Sequence, residues 1–167
     1  MKAKFILLQL ISLLVCFELA AASHSPQLLH YQHMDLHKGQ IQALDSLKGK
    51  PTLMMFFEPQ CPWCLKQGKA FNSLLGQCPD DFNIVALGIH GDKASLKKAW
   101  WKMKLNFPGY LTGAAMLKDI GNVPATPITL IADEEGNLVS HLRGYVKLNA
   151  LLPQLQQHFD LSCLNQA

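Results

Sequence analysis

Cys61 and Cys64 stand three positions apart, separated by Pro62 and Trp63, close behind the apolar run TLMMFF at 52–57. Two sulfurs at this spacing can share a metal ion, pack passively or form a redox couple. A structural zinc site needs four ligands, typically from a second Cys-x-x-Cys or His pair. Cys78 and Cys163 stand alone, so the metal reading lacks its other half. Passive packing fares badly too, because two thiols at the mouth of a helix react wherever conditions are oxidising. Redox chemistry has positive support. A helix that opens at Cys61 leaves its first N–H groups unpaired, and its dipole puts positive potential there. A thiolate at that end is stabilised, which makes Cys61 the attacking nucleophile. Pro62 suits the first helical turn because it has no N–H to leave unpaired. Cys64, one turn on, points to the same side and can resolve a mixed disulfide formed at Cys61.

The elements that must hold this pair are readable on either side. TLMMFF is continuous and bounded by turn signals, as a strand buried on both faces would be. Behind the cysteines, Cys64, Gly68, Phe71, Leu75 and Cys78 fall on one helical face. FNIVALGIH (82–90) reads as a second buried strand, and DKASLKKAWWKMKL as a helix with Asp92 as its N-cap. AAMLKDIG fits a short helix. ITLIAD (128–133) and LVSHLRGY (138–145) are strands joined by the turn EEGN. Leu148, Leu151, Leu152, Leu155 and Phe159 close the chain at helical spacing, with Pro153 tolerable only near that helix's first turn. Upstream, HKGQ is a turn between extended pieces at 31–36 and 40–44. The order β-hairpin, β, α, β, α, α, β, β, α predicts one α/β domain. Parallel strands with crossover helices come first, and an antiparallel pair comes last.

Composition agrees with a single globular domain: 167 residues, 49% apolar, 16% charged, formal net charge +3. The densest basic stretch, Lys97, Lys98, Lys102 and Lys104 around Trp100 and Trp101, reads as a solvated helix face and not as a nucleic-acid footprint. Residues 1–22 read as a secretory signal: Lys2 and Lys4 precede an apolar stretch, and Ala20 and Ala22 stand where a signal peptidase reads, so cleavage falls before Ser23. Retention as an N-terminal membrane tether is opposed by Glu18, and lipidation of Cys16 by the bulk of Val15 before it. Each alternative puts the domain where disulfides persist, and the mature chain would keep an even four cysteines. The expected divisions are an extension at 23–30, the domain at 31–160 and a tail at 161–167.

LKGKPTLMMFFEPQCPWC, the FP at 107–108 and ATPITLIADEEGNLVSHLRGY together resemble the TlpA/DsbE-type branch of the thioredoxin superfamily, over about residues 31–159. The resemblance implies a thioredoxin-like fold: a central mixed sheet flanked by helices, with an N-terminal β-hairpin. It implies that Pro127 is a cis-proline facing the cysteines, at a cost of about 0.5–1 kcal/mol, leaving the Thr126 backbone free to dock a substrate strand. An ordinary proline at the start of a strand is the other reading of Pro127, and Pro124 competes for the role. The implied function is a periplasmic protein-disulfide reductase that works through Cys61, Pro62, Trp63 and Cys64 and needs no cofactor or metal. Its partners would be disulfide-bonded proteins and a DsbD-like membrane thiol donor, with cytochrome c maturation or repair of wrong disulfides as uses.

Several residues depart from the thioredoxin pattern. Met55 occupies the position of the buried Asp that assists proton transfer in thioredoxins. Glu58 is the candidate substitute for it, or simply a solvated loop carboxylate. Trp63 brings no positive charge between the cysteines, which favours a reductase over an oxidase, and it is either a platform for a partner or a cap over the site. Thr126 is similar to the isomerase branch. A peroxidase is disfavoured because FEPQC lacks the threonine that such a cysteine needs. A non-catalytic copper or peptide carrier using His30, His33, His37 and Met34 is the reading from another class, set against a solvated N-terminal segment. Cys78 and Cys163 have two readings. In a thioredoxin-like fold the helices carrying them end side by side, which permits a bridge if the Cα atoms approach within about 7 Å. Otherwise Cys78 is a core residue beside Phe71 and Leu75, and Cys163 lies in a frayed tail.

Overall fold

A computed structural model describes residues 25–164. The signal segment, with Lys2, Lys4, Cys16, Glu18 and the cleavage position before Ser23, lies outside the described residues. No helix among the described residues is long and apolar enough to cross a membrane.

The strands are β1 (Gln32–Asp35), β2 (Ile41–Ala43), β3 (Thr52–Phe57), β4 (Asn83–Gly88), β5 (Gly109–Leu111), β6 (Ile128–Ala132) and β7 (Leu138–Arg143). The helices are α1 (Pro62–Gln77), α2 (Lys93–Met103), α3 (Ala114–Ile120) and α4 (Leu148–Gln156). One seven-stranded sheet runs in the order β2-β1-β5-β4-β3-β6-β7. β3, β4 and β5 are parallel neighbours, while β6 pairs antiparallel with both β3 and β7, and β1 pairs antiparallel with β2 and β5. The fold is the mixed α/β sheet with N-terminal hairpin expected from the sequence.

β3 is buried at every position, and its period of two divides the core. Leu53, Met55 and Phe57 face one layer with Phe71 and Leu74 of α1, Leu96 of α2, and Leu151 and Leu155 of α4. Met54 and Phe56 face the other, with Met116 of α3 and with Leu28 and Leu29. The sheet is thereby covered on both sides, and the carboxyl end of β3 is held rigidly where the cysteines begin.

Three expectations are corrected. The first is the solvated N-terminal segment. Leu28, Leu29, Tyr31 and His33 are all buried, and the Leu28 N–H donates to the Gly136 carbonyl at 2.7 Å. Packing therefore begins before residue 31, because the face holding Met54 and Phe56 needs apolar cover. His30 and His37 remain exposed. His33 Nδ1 accepts from the Gly113 N–H at 3.1 Å, and burial pushes this imidazole down from its usual 6.5 to about 4. The second is Pro153, which sits inside α4 rather than in its first turn. Leu151 and Leu155, both fully buried, anchor the helix on either side of the lost hydrogen bond. The third is β5, which the Pro108-Gly109 turn signal conceals. Gly109 lies against the indole of Trp100, where a Cβ would meet Cδ1 at 2.7 Å, and Trp100 Nε1 donates to the Phe107 carbonyl at 3.1 Å.

Candidate active site

Cys61 is the N-cap of α1. Its backbone is extended (φ −102°, ψ 98°), Pro62 follows in the first turn, and Cys61 Sγ accepts the Cys64 N–H at 3.0 Å. A sulfur thus takes the place of the oxygen that usually satisfies this free helical donor. Cys61 and Cys64 are joined as a disulfide with Cα atoms 5.2 Å apart. Their exposure is unequal: Cys61 is half-buried, and Cys64 is fully buried in the core layer that also holds Met55. Of the two, only Cys61 retains exposed surface.

Glu58 closes one side of this turn. Its Oε1 accepts from Thr126 Oγ1 at 2.8 Å, and its Oε2 lies 3.2 Å from His90 Nδ1. The carboxylate is partly exposed but committed to two partners, so it is more than a solvated loop charge. His90, just past β4, occupies the left-handed region at φ 53°. The one cis peptide bond among the described residues is Thr126-Pro127, which leaves Pro124 out of that role. The Pro127 carbonyl accepts from the Gly144 N–H at 2.8 Å, and the Thr126 main chain makes no backbone hydrogen bond among the described residues.

Trp63, Thr126, Pro127, Gly144 and Tyr145 line a cleft of about 280 Å³. Trp63 is 53% exposed and stacks on Tyr145 with ring centroids 6.3 Å apart, so it forms a wall of the cleft. Lys66 Nζ lies 4.1 Å from the Trp63 ring centroid, a cation–π contact. No cation separates the two cysteines in sequence, but Lys66 stands two positions past Cys64 on the same helix.

Tyr145, Gln67 and His90 belong to this region and were not expected in it. Gln67 is buried on α1, and its Oε1 accepts the Val146 N–H at 2.7 Å, tying the loop that carries Tyr145 to the cysteine helix. The GY at the end of LVSHLRGY was the available signal for Tyr145. Nothing local marks Gln67 or His90.

At the far end of α1, Cys78 is the C-cap and is bridged to Cys163 with Cα atoms 5.1 Å apart. The frayed-tail reading is overturned here. Leu161 is buried, and Asp81 accepts from both Ser162 Oγ and the Cys163 N–H. Helices α1 and α4 pack on the same face of the sheet, which brings these two ends together.

The sequence matches the AhpC/TSA family over residues 27–155. No protein with a curated description matches it. Solved structures share the fold. A thiol:disulfide interchange protein from Bacteroides sp. is 26% identical, with 84% of this chain and 90% of that one covered at a TM-score of 0.64. A secreted Mycobacterium tuberculosis disulfide oxidoreductase, described as homologous to E. coli DsbE, is 21% identical, with 77% and 96% covered at 0.62. A thioredoxin-family thiol:disulfide interchange protein from Chlorobium tepidum TLS is 16% identical, with 83% and 98% covered at 0.68. With a family match over most of its length and a thioredoxin-like sheet presenting a cysteine pair at a helix N-terminus, this chain belongs to the AhpC/TSA family.

Proposed function

We propose that the protein is a thiol-disulfide oxidoreductase of the cell envelope that reduces protein disulfides through Cys61 and Cys64. The observation that carries this reading is the sulfur of Cys61 acting as helix cap and accepting the Cys64 N–H, half-exposed above a fully buried partner sulfur. In the reduced protein the same N–H and the helix dipole stabilise a Cys61 thiolate. That thiolate attacks a substrate disulfide. A Cys61–substrate S–S bond forms as the substrate S–S bond breaks, and the departing sulfur leaves as a thiolate that takes up a proton. Cys64 then loses its proton and attacks the Cys61 sulfur, which releases the second substrate thiol. Two electrons have passed to the substrate, and the enzyme holds the Cys61–Cys64 disulfide. A thiol donor of the DsbD type re-reduces it.

Substrate docking falls to the free main chain of Thr126 and to the cleft walled by Trp63 and Tyr145. The envelope assignment rests on the signal-like first 22 residues and on the Cys78–Cys163 bridge, which an oxidising compartment preserves. Cytochrome c maturation and repair of wrong disulfides are uses that suit such a reductase. Lys66 favours a second reading, because a cation near the cysteines stabilises the reduced thiolate and makes the couple more oxidising. Isomerase or oxidase activity would follow.

Insulin reduction and the reduction potential against glutathione test both. Turnover with a potential near thioredoxin's, about −270 mV, supports the reductase, and a value above about −150 mV supports the oxidant reading. A copper or peptide carrier would give no turnover, and its binding would survive Cys61→Ala.

A further inference from the structure

A second cavity, of about 510 Å³, opens at Cys61 on the side of α2. Leu65, Ala99 and Met103 give it apolar walls, and Lys102 and Glu58 stand on its lining with opposite charge. Helices α1 and α2 on its two flanks carry six lysines, Lys66, Lys69, Lys93, Lys97, Lys98 and Lys102, and not one Asp or Glu. None of the six is in an ion pair among the described residues. Glu58 on the lining is engaged with Thr126 and His90, and Asp92, the N-cap of α2, with the Ser95 N–H. A helix pair of one sign, left without counter-charges beside an apolar hollow at the reactive sulfur, is built for an oppositely charged partner.

We propose that this face selects disulfide substrates whose polypeptide carries acidic residues and an apolar side chain next to the reactive cysteine, the side chain seated against Leu65, Ala99 and Met103 and the acids against Lys98 and Lys102. The proposal rests on the oxidoreductase reading above and names its substrate class. Lys98 and Lys102 are one helical turn apart, about 6 Å. Lys102 lines the cavity itself and Lys98 lies one turn before it, whereas Lys93 and Lys97 lie against Gly39 and His37 and Lys66 lies over Trp63. A flat anionic bilayer could meet the lysines but could not enter the hollow.

The test uses reduced protein and two cysteine peptides activated as mixed disulfides with thionitrobenzoate, one flanked by Leu-Asp-Asp and the other by Leu-Lys-Lys. The Cys61 thiolate bonds to the peptide sulfur and the thionitrobenzoate thiolate leaves with the electron pair. Cys64 then displaces the peptide thiol. Each rate is divided by the same protein's rate with neutral hydroxyethyl disulfide, which cancels any loss of folding or thiol reactivity. At low ionic strength the acidic peptide is expected to react about tenfold faster or more. The ratio falls toward one as salt shortens the Debye length, and it inverts in the Lys98→Glu/Lys102→Glu protein. A ratio near one at low salt, or one indifferent to the double substitution, overturns the proposal and leaves the oxidoreductase reading standing. A ratio near one together with sedimentation on phosphatidylglycerol vesicles identifies a membrane face and likewise overturns it. Failure to react even with hydroxyethyl disulfide defeats the oxidoreductase reading itself and takes this proposal with it.

Discussion

Thr126 and Glu58, 68 positions apart in sequence, are joined by a 2.8 Å hydrogen bond from Thr126 Oγ1 to Glu58 Oε1. It fastens the loop leading to Cys61 to the loop leading into β6. The two loops leave neighbouring strands, with Phe56 of β3 paired to Ile128 of β6, so the bond closes the sheet end on which the cysteines sit. A hydrogen bond to a charged group contributes about 1.5–3 kcal/mol, less where solvent reaches it. Thr126→Val should lower kcat/KM for insulin reduction about three- to tenfold, and Thr126→Ser should restore it. A Val variant as fast as the parent would show that the loops hold their places without this bond.

The unequal exposure of the two sulfurs predicts their order of reaction. In the reduced protein, iodoacetamide should modify Cys61 well before Cys64, as read by peptide mass spectrometry. Cys64→Ala should accumulate a mixed disulfide with substrate on non-reducing gels, whereas Cys61→Ala should form none and lose turnover by about a thousandfold or more. Equal labelling of both cysteines would contradict the assignment of roles.

The Cys78–Cys163 bridge spans 85 positions and ties the end of α1 to the chain after α4. Loops of this length constrain the unfolded chain strongly, so the Cys78→Ala/Cys163→Ala protein should lose about 2–5 kcal/mol in urea unfolding. Because the bridge lies at the opposite end of α1 from Cys61, the refolded variant should still reduce insulin. A collapse of turnover at full folding would mean that the two ends of the helix communicate.

His33 gives the fold an acid limit. Its imidazole titrates at about 4 when folded against 6.5 when free, because burial disfavours the charged form. Between those values the unfolded chain binds a proton at His33 and the folded chain does not, so stability rises with pH across that window. The contribution is full above 6.5 and is lost as pH falls toward 4, to a total of about 3 kcal/mol. His33→Gln should flatten that part of the urea-stability profile. An unchanged slope between pH 6.5 and 4 would place the effect on other groups.

The amino-acid sequence by itself determined the elements whose cause is local. The continuous apolar run at 52–57 became β3 with those bounds, Asp92 became the N-cap of α2, and Cys61, Pro62 and Cys64 took their places in the first turn of α1. Burial period and cap chemistry act within one or two turns of chain, so they can be read from neighbours alone. The tertiary structure decided what depends on partners far away in sequence. The three-residue β5 exists because β4 and β1 flank it, and His33 is buried because β1 joins the sheet beside β5, with Tyr110 and Gly113 against its ring. Glu58 found Thr126 and His90, Trp63 found Tyr145, and Cys78 met Cys163 only once strand order and helix packing were settled. Long-range pairing depends on register and on which face each helix covers, and no window of neighbouring residues carries that information.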